Sequence, residues 1–143
     1  MQAAAIENNS YRLVTLLAGV NDQYQRIPIQ FYPERFSLLV DEAIRISGSK
    51  DRVVILSIPD YSVTPFAKGN NTDKIAAELK QYNEINRSIA ESRGIKYVDI
   101  TGISLKAKDD LSYLAGDKLH PSAKMYEEWV TAMWDQVREA LKP

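Results

Sequence analysis

The stretch Arg52–Pro59, which reads RVVILSIP, decides the fold of this 143-residue chain. It is a short apolar run that is rich in β-branched residues and closed by a proline, and this combination predicts a strand covered on both faces. Two similar runs, Leu13–Ala18 and Ile95–Ile100, end near Gly19 and Gly102 and predict two further strands.

Amphipathic segments separate and follow these strands. Apolar residues recur at helical spacing over residues 36–44, 75–89 and 126–141, which predicts three helices with one buried face each. Strands that alternate with helices in this way indicate an α/β fold in which βαβ units build a parallel sheet. The residues that predict the limits of the three helices are Pro33, Gly48, Gly94 and Pro121.

Composition excludes several classes of function. The 18 Lys and Arg residues balance 19 Asp and Glu residues to a net charge of −1, which argues against a nucleic-acid partner. The chain has no cysteine and a single histidine, so disulfides, cysteine nucleophiles and zinc sites built from thiolates or several histidines are excluded. No apolar run approaches the roughly 20 residues of a membrane span. Residues 2–7 show no signal peptide, so a chain that begins naturally at Met1 is expected in the cytoplasm.

The first predicted strand lacks a neighbour on one side. A doubly wound sheet usually has about five or six strands, and this sequence predicts three. The chain opens almost directly into a strand whose apolar character predicts burial, preceded only by residues 2–8, which are typical of a helix tail. Either an edge is left bare and invites pairing with another chain, or a segment is missing upstream.

One segment that follows the strands carries a candidate acid–base pair. In open α/β sheets ligands bind beyond the carboxyl ends of the strands, where residues 117–121 are expected. Asp117 can accept a hydrogen bond from Nδ1–H of His120, which leaves Nε2 free as a base, and Pro121 restricts the backbone of His120. The alternative is a surface histidine beside a helix N-terminus, with Asp117 as an ordinary turn residue.

Two further segments, residues 19–22 and 59–66, are expected at the same edge. The side-chain amide of Asn21 can donate to an oxyanion, and Gly19 would let the backbone approach a substrate closely; a turn that ends a strand explains both residues equally well. In the second segment Tyr61 is a candidate substrate-binding residue, although ordinary loop chemistry is the simpler explanation.

Three motifs together resemble the SGNH (GDSL-type) hydrolases, a family of esterases and lipases on a three-layer, flavodoxin-like parallel sheet. The motifs are GVND at residues 19–22, LSIPDYSVTPF at residues 56–66 and DKLHP at residues 117–121. They stand in family order, and the resemblance covers residues from about 11 to the C-terminus.

The resemblance implies a site and a substrate. It implies a small-molecule ester as substrate and no metal or organic cofactor. The implied catalytic residues are His120 and Asp117 of a Ser-His-Asp triad and Asn21 of the oxyanion hole. The implied substrate-binding residues are Gly19, Asp22 and Tyr61.

The sequence departs from the family at the nucleophile. No Gly-Asp-Ser triplet occurs, and the first glycine is Gly19. The resemblance therefore implies that residues 1–143 are a single domain, the C-terminal portion of the family fold, without its first two strands and nucleophilic serine. No other serine is expected to substitute, so the isolated chain is expected to be inactive. It is expected to associate through its first strand, with a second copy or with the missing N-terminal segment.

Two other classes of function remain. A non-catalytic binding or interaction module on the same fold, a pseudo-enzyme, would keep the architecture without the chemistry. A flavodoxin-like nucleotide or flavin binder is less favoured, because no glycine-rich phosphate loop opens any of the predicted helices.

Overall fold

A parallel three-stranded sheet forms the centre of the protein. The computed structural model describes residues 6–142. The strands β1 (Val14–Leu16), β2 (Val53–Leu56) and β3 (Lys96–Val98) lie in the order β1-β2-β3, and both pairs are parallel. The predicted α/β fold with a parallel sheet is confirmed.

Helices connect and flank the strands. Short 3₁₀ turns lie between them, the one at residues 65–67 within the loop that follows β2. The helices are α1 (Val20–Tyr24), α2 (Tyr32–Ser47), α3 (Thr72–Arg93), α4 (Thr101–Ser104) and α5 (Ala123–Ala140). Among residues 6–142 no helix has the length and apolar character required to cross a membrane.

The predicted helix limits are confirmed. Pro33 lies in the first turn of α2, where its missing N–H costs nothing. Gly48 and Gly94 end α2 and α3 with left-handed φ values of 76° and 65°, a conformation that glycine adopts without strain. At α5, Ser122 Oγ accepts a hydrogen bond from Met125 N–H.

The central strand separates two apolar cores. All four residues of β2 are buried, and alternate side chains point to opposite faces of a sheet. Val53 and Ile55 pack into the core that α2 and α3 cover. Val54 and Leu56 pack into the core that α5 covers. This arrangement explains the continuous apolar run in the sequence.

The prediction of full burial is correct for β2 but wrong for β1 and for β3, in which Lys96 and Tyr97 are only partly buried. Thr15 is exposed, and Val14 and Leu16 are partly buried. The physical reason is position: β1 is an edge strand that pairs only with β2 within the described residues. The predicted helix tail at residues 2–8 is not helical over residues 6–8, and residues 2–5 lie outside the described part of the chain.

Candidate active site

The three segments expected at the carboxyl edge of the sheet line one cleft of about 310 Å³. Its walls come from α1, from the loop that follows β2, and from the loop that precedes α5. The lining residues are Val20, Asn21, Tyr24, Pro59, Tyr61, Phe66, Leu119, His120 and Pro121.

Asp117 and His120 form a hydrogen-bonded pair at the mouth of this cleft. His120 Nδ1 lies 2.6 Å from Asp117 Oδ2, while Oδ1 accepts hydrogen bonds from the backbone N–H groups of Leu119 (3.0 Å) and His120 (2.9 Å). The imidazole hydrogen bond, followed by these backbone bonds, lowers the pKa of Asp117 to about 2. An ionised carboxylate accepts a hydrogen bond from Nδ1–H, which leaves Nε2 free to accept a proton.

The loop that carries this pair is fixed at both ends. Leu114 and Pro121 form an antiparallel β-bridge, and His120 C=O accepts a 2.7 Å hydrogen bond from Ala115 N–H. Lys118 lies inside the loop with a left-handed φ of 61°, a conformation that is uncommon and costs energy for a non-glycine residue. The turn at Lys118 brings the backbone N–H groups of Leu119 and His120, and the imidazole Nδ1–H, to the Asp117 carboxylate.

Asn21 lies in the first turn of α1 and lines the same cleft as His120. Its side chain is exposed, and its amide makes no hydrogen bond to any other residue in the range 6–142. The amide is therefore available to donate to a ligand in the cleft that also holds His120.

Gly19 and Asp22 do not line the cleft. A Cβ atom at Gly19 would lie 2.2 Å from Tyr32 Oη and 2.6 Å from Ile58 Cδ1, at a φ of 121°. The Asp22 carboxylate accepts hydrogen bonds of 2.9 and 3.2 Å from the Arg35 guanidinium. The structure thus places Gly19 against the core and Asp22 in an ion pair between α1 and α2, where both position α1.

Tyr61 lines the cleft with its ring rather than its hydroxyl. The residue is buried, and its hydroxyl donates a 2.9 Å hydrogen bond to Gln23 Oε1. Any contact of Tyr61 with a ligand in the cleft is therefore apolar.

No serine lines the cleft in the described part of the chain. The hydroxyl of Ser57 donates to Asp99 and that of Ser104 donates to Thr101 C=O. Ser62 is buried in the loop after β2, Ser122 caps α5, and the Ser10 hydroxyl donates to Glu7 C=O. None of these serines lines the cleft with His120.

Sequence reasoning missed two aromatic residues of the cleft. Tyr24 and Phe66 lie with ring centroids 6.1 Å apart, and both line the cleft. Tyr24 follows the GVND motif by two positions, and Phe66 ends the loop singled out after β2. Both residues therefore lie beside or within segments that the sequence analysis identified, but only the tertiary fold brings the two rings together.

A larger cavity, of about 580 Å³, lies between α3 and the end of β3. Its charged side chains include Arg87 and Asp99, which pair at 2.9 Å, and burial raises the pKa of Tyr97 to about 12. This cavity contains no imidazole, so it lacks the acid–base pair found in the smaller cleft. Among residues 6–142 no group of three or more His, Asp or Glu side chains could hold a metal ion.

Comparison with known proteins places these features in a family. The model of the GDSL-like lipase/acylhydrolase family matches residues 2–128. No curated protein sequence matches significantly.

Several solved structures share the fold. Axe2, an acetylxylan esterase from Geobacillus stearothermophilus, is 22% identical with a TM-score of 0.60, over 87% of this chain and 58% of that one. LAE5, an α/β hydrolase from the metagenome of Lake Arreo, Spain, is 19% identical with a TM-score of 0.60, over 94% and 62%. A protein from Bacteroides fragilis NCTC 9343 is 17% identical with a TM-score of 0.66, over 93% and 64%.

The chain thus spans about three-fifths of the length of the structures that it resembles. At these identities the likeness to solved structures concerns the fold, which is the α/β fold of SGNH hydrolases. The family model, in contrast, matches most of the sequence, including the GVND and DKLHP segments. The chain therefore belongs to the GDSL-like lipase/acylhydrolase family.

Proposed function

We propose that this chain supplies the histidine, the aspartate and an oxyanion-hole amide of a serine esterase site that acts on small-molecule carboxylic esters. One observation carries the proposal: His120 Nδ1 lies 2.6 Å from Asp117 Oδ2, and His120 shares a cleft at the carboxyl edge of the sheet with Asn21. Family membership supports ester hydrolysis as the class of reaction.

Each residue has a defined role in this reaction. His120 Nε2 takes the proton of a serine hydroxyl while the serine oxygen attacks the ester carbonyl carbon. Asn21 donates a hydrogen bond to the oxygen that becomes negative in the tetrahedral intermediate. His120 then returns the proton to the leaving alcohol, and water hydrolyses the acyl-serine by the same steps. Asp117 orients the imidazole and stabilises its protonated form.

The nucleophilic serine of this site lies outside residues 1–143. The sequence contains no Gly-Asp-Ser triplet, and no described serine lines the cleft. The side chain of His120 is 71% exposed, whereas catalytic hydrogen bonds are strongest in sites that exclude water. Because removal of a triad nucleophile costs about 10⁶-fold in rate, the isolated chain has no appreciable esterase activity.

In this proposal the chain is one domain that corresponds to the C-terminal portion of the family fold. The free edge of β1 supports pairing with another strand. That strand belongs either to a second copy of the chain or to an N-terminal segment that carries the serine.

The alternative is a non-catalytic binding module on the same fold. No serine of the described residues lines the cleft, and this favours the module, since a binding module needs the cleft but not the nucleophile. The upstream reading frame distinguishes the two: a Gly-Asp-Ser after an apolar strand supports the esterase, and a natural start at Met1 supports the module.

Hydrolysis of alkyl acetates tests the proposal directly. Alkyl acetates have poor leaving groups and do not react with an exposed imidazole, so they report only on an assembled site. The isolated chain is expected to release acetate no faster than its His120→Ala variant. Turnover by the isolated chain that the variant lacks would contradict the proposal, because a serine within residues 1–143 would then have to be the nucleophile.

A further inference from the structure

Three aromatic rings form a ridge between the candidate active-site cleft and a second cavity. Tyr24, Tyr61 and Phe66 line both the cleft and a neighbouring cavity of about 180 Å³. Phe66 lies with its ring centroid 6.1 Å from that of Tyr24 and 6.4 Å from that of Tyr61. The ridge is open to a ligand, because Tyr24 is 59% and Phe66 41% exposed.

The second cavity is polar beyond the ridge. Gln23 is buried; its amide donates a 2.8 Å hydrogen bond to Glu78 Oε2, and its Oε1 accepts from Tyr61. Lys74 Nζ lies 3.7 Å from Glu78 Oε1. The polar residues that line this cavity are Gln23, Arg26, Asn70, Asn71, Lys74 and Glu78.

We infer that the ridge and the polar cavity form a subsite for a sugar ring of the ester's alcohol portion. The inference rests on the proposed function of the adjoining cleft, and it adds the class of substrate. A pyranose ring has apolar C–H faces and a rim of hydroxyl groups. The faces can pack on Tyr24 and Phe66. The hydroxyls can donate to Asn70 Oδ1 and accept from Asn71 Nδ2, the amide atoms that make no hydrogen bond among the described residues.

The same features disfavour a long acyl chain as the occupant. An alkyl chain that crossed the ridge would enter a cavity lined by Arg26, Lys74 and Glu78. It would strip water from these charged groups without replacing the lost hydrogen bonds, which is costly. A saccharide supplies donors and acceptors at the same place.

The hydrogen bond of Tyr61 to Gln23 fixes one of the three rings of the ridge. It ties the buried ring of Tyr61 to α1 and, through Glu78, to α3. The ring of Phe66 lies with its centroid 6.4 Å from that of Tyr61 and so packs beside this fixed ring, and side chains that are held before binding lose less entropy on binding.

Oligosaccharide binding by NMR tests the subsite. Xylotetraose is titrated into the ¹⁵N-labelled chain, with hexanoate as the alkyl probe. We expect xylotetraose to shift the backbone amides of residues 24, 66 and 70–74. Replacement of either exposed ring, in Tyr24→Ala or Phe66→Ala, is expected to weaken binding by about tenfold, because that factor corresponds to the free energy of one aromatic contact. Leu38→Ala, which removes an exposed apolar side chain from α2, is the matched control and should bind like the unmodified chain.

The outcomes separate this inference from the proposed esterase. Saccharide binding needs no turnover, so an inactive or active cleft leaves this readout unchanged. Absence of shifts with xylotetraose, equal binding by Tyr24→Ala and Leu38→Ala, or shifts produced by hexanoate alone would each overturn the sugar subsite. Spectra of all three variants report directly whether the fold is intact.

Discussion

At the scale of single residues, the structure controls the ionisation of the Asp117 carboxylate in the candidate site. His120 Nδ1 and two backbone N–H groups surround it. All three stabilise the charged form, so the pKa in the folded chain falls below its ordinary value, to about 2. The interactions therefore stabilise the fold above the unfolded pKa and are lost as the pH falls through about 2.

Titration of the Asp117 carboxyl carbon by NMR tests this geometry. We expect a midpoint near 2 in the unmodified chain and a higher midpoint in His120→Ala, which removes the largest cause of the shift. Glu42, whose pKa is lowered by its hydrogen bond to Arg45 on α2, serves as the control, and its midpoint should be the same in both proteins. An unchanged Asp117 midpoint in the variant would show that the imidazole does not contact the carboxylate in solution.

Gly19 yields a prediction about stability rather than about substrate. An alanine there would place its Cβ 2.2 Å from Tyr32 Oη and would have to adopt a φ of 121°. Overpacking and backbone strain each cost about 1–3 kcal/mol, so Gly19→Ala should lower the free energy of unfolding in urea by at least about 2 kcal/mol. Gly116→Ala is the control, because nothing lies within 4 Å of the added atom; equal effects of the two substitutions would contradict this account.

At the scale of elements, the sequence predicts the helices better than the strands. Pro33, Gly48 and Gly94 act through their own backbone preferences, so the limits that they predict hold in the structure. The strands are shorter than their apolar runs, and the burial of β1 was overestimated, because burial depends on what packs on a strand and not on its composition.

In the candidate site, too, the sequence predicts local features but not those that depend on packing between elements. The pairing of His120 with Asp117 depends on a spacing of three residues within one turn, which a sequence displays. The contribution of Tyr24 and Phe66 depends on how α1 and the loop after β2 approach each other. No local pattern encodes that approach, so the sequence could not predict it.

The cap of α5 links an element to the site. Ser122 Oγ accepts from Met125 N–H and donates to Ser112 C=O, and it follows the histidine loop directly. Loss of a serine N-cap costs about 1 kcal/mol, so Ser122→Ala should lower the free energy of unfolding in urea by about that amount. Ser88→Ala, at an exposed position inside α3, should leave it unchanged or slightly higher, because alanine favours helices. A Ser122→Ala variant as stable as the unmodified chain would exclude the cap as a stabilising contact.

At the scale of the whole molecule, β1 forms one edge of the sheet. Among the described residues only β2 pairs with β1, and Leu17 beside that edge is exposed. A strand with free N–H and C=O groups and apolar neighbours tends to pair with another strand. The proposed association of this chain follows from that property.

Sedimentation velocity tests this association. We expect the sedimentation coefficient of the isolated chain to rise with concentration. Thr15→Lys, which places a charge on the exposed side of β1, should reduce this rise. Ser88→Lys adds the same charge on α3 and should not. A chain that stays monomeric at every concentration, or two variants that associate equally, would contradict pairing through β1.

The central claim is that the chain holds a histidine, an aspartate and an oxyanion-hole amide in one cleft without the serine that completes the site. Reaction with a serine-directed fluorophosphonate, followed by mass spectrometry of the intact chain, tests this claim most directly. The account predicts no adduct on the isolated chain, because no described serine lines the cleft beside His120. A stoichiometric adduct on one serine, formed by the unmodified chain and lost in His120→Ala, would contradict it.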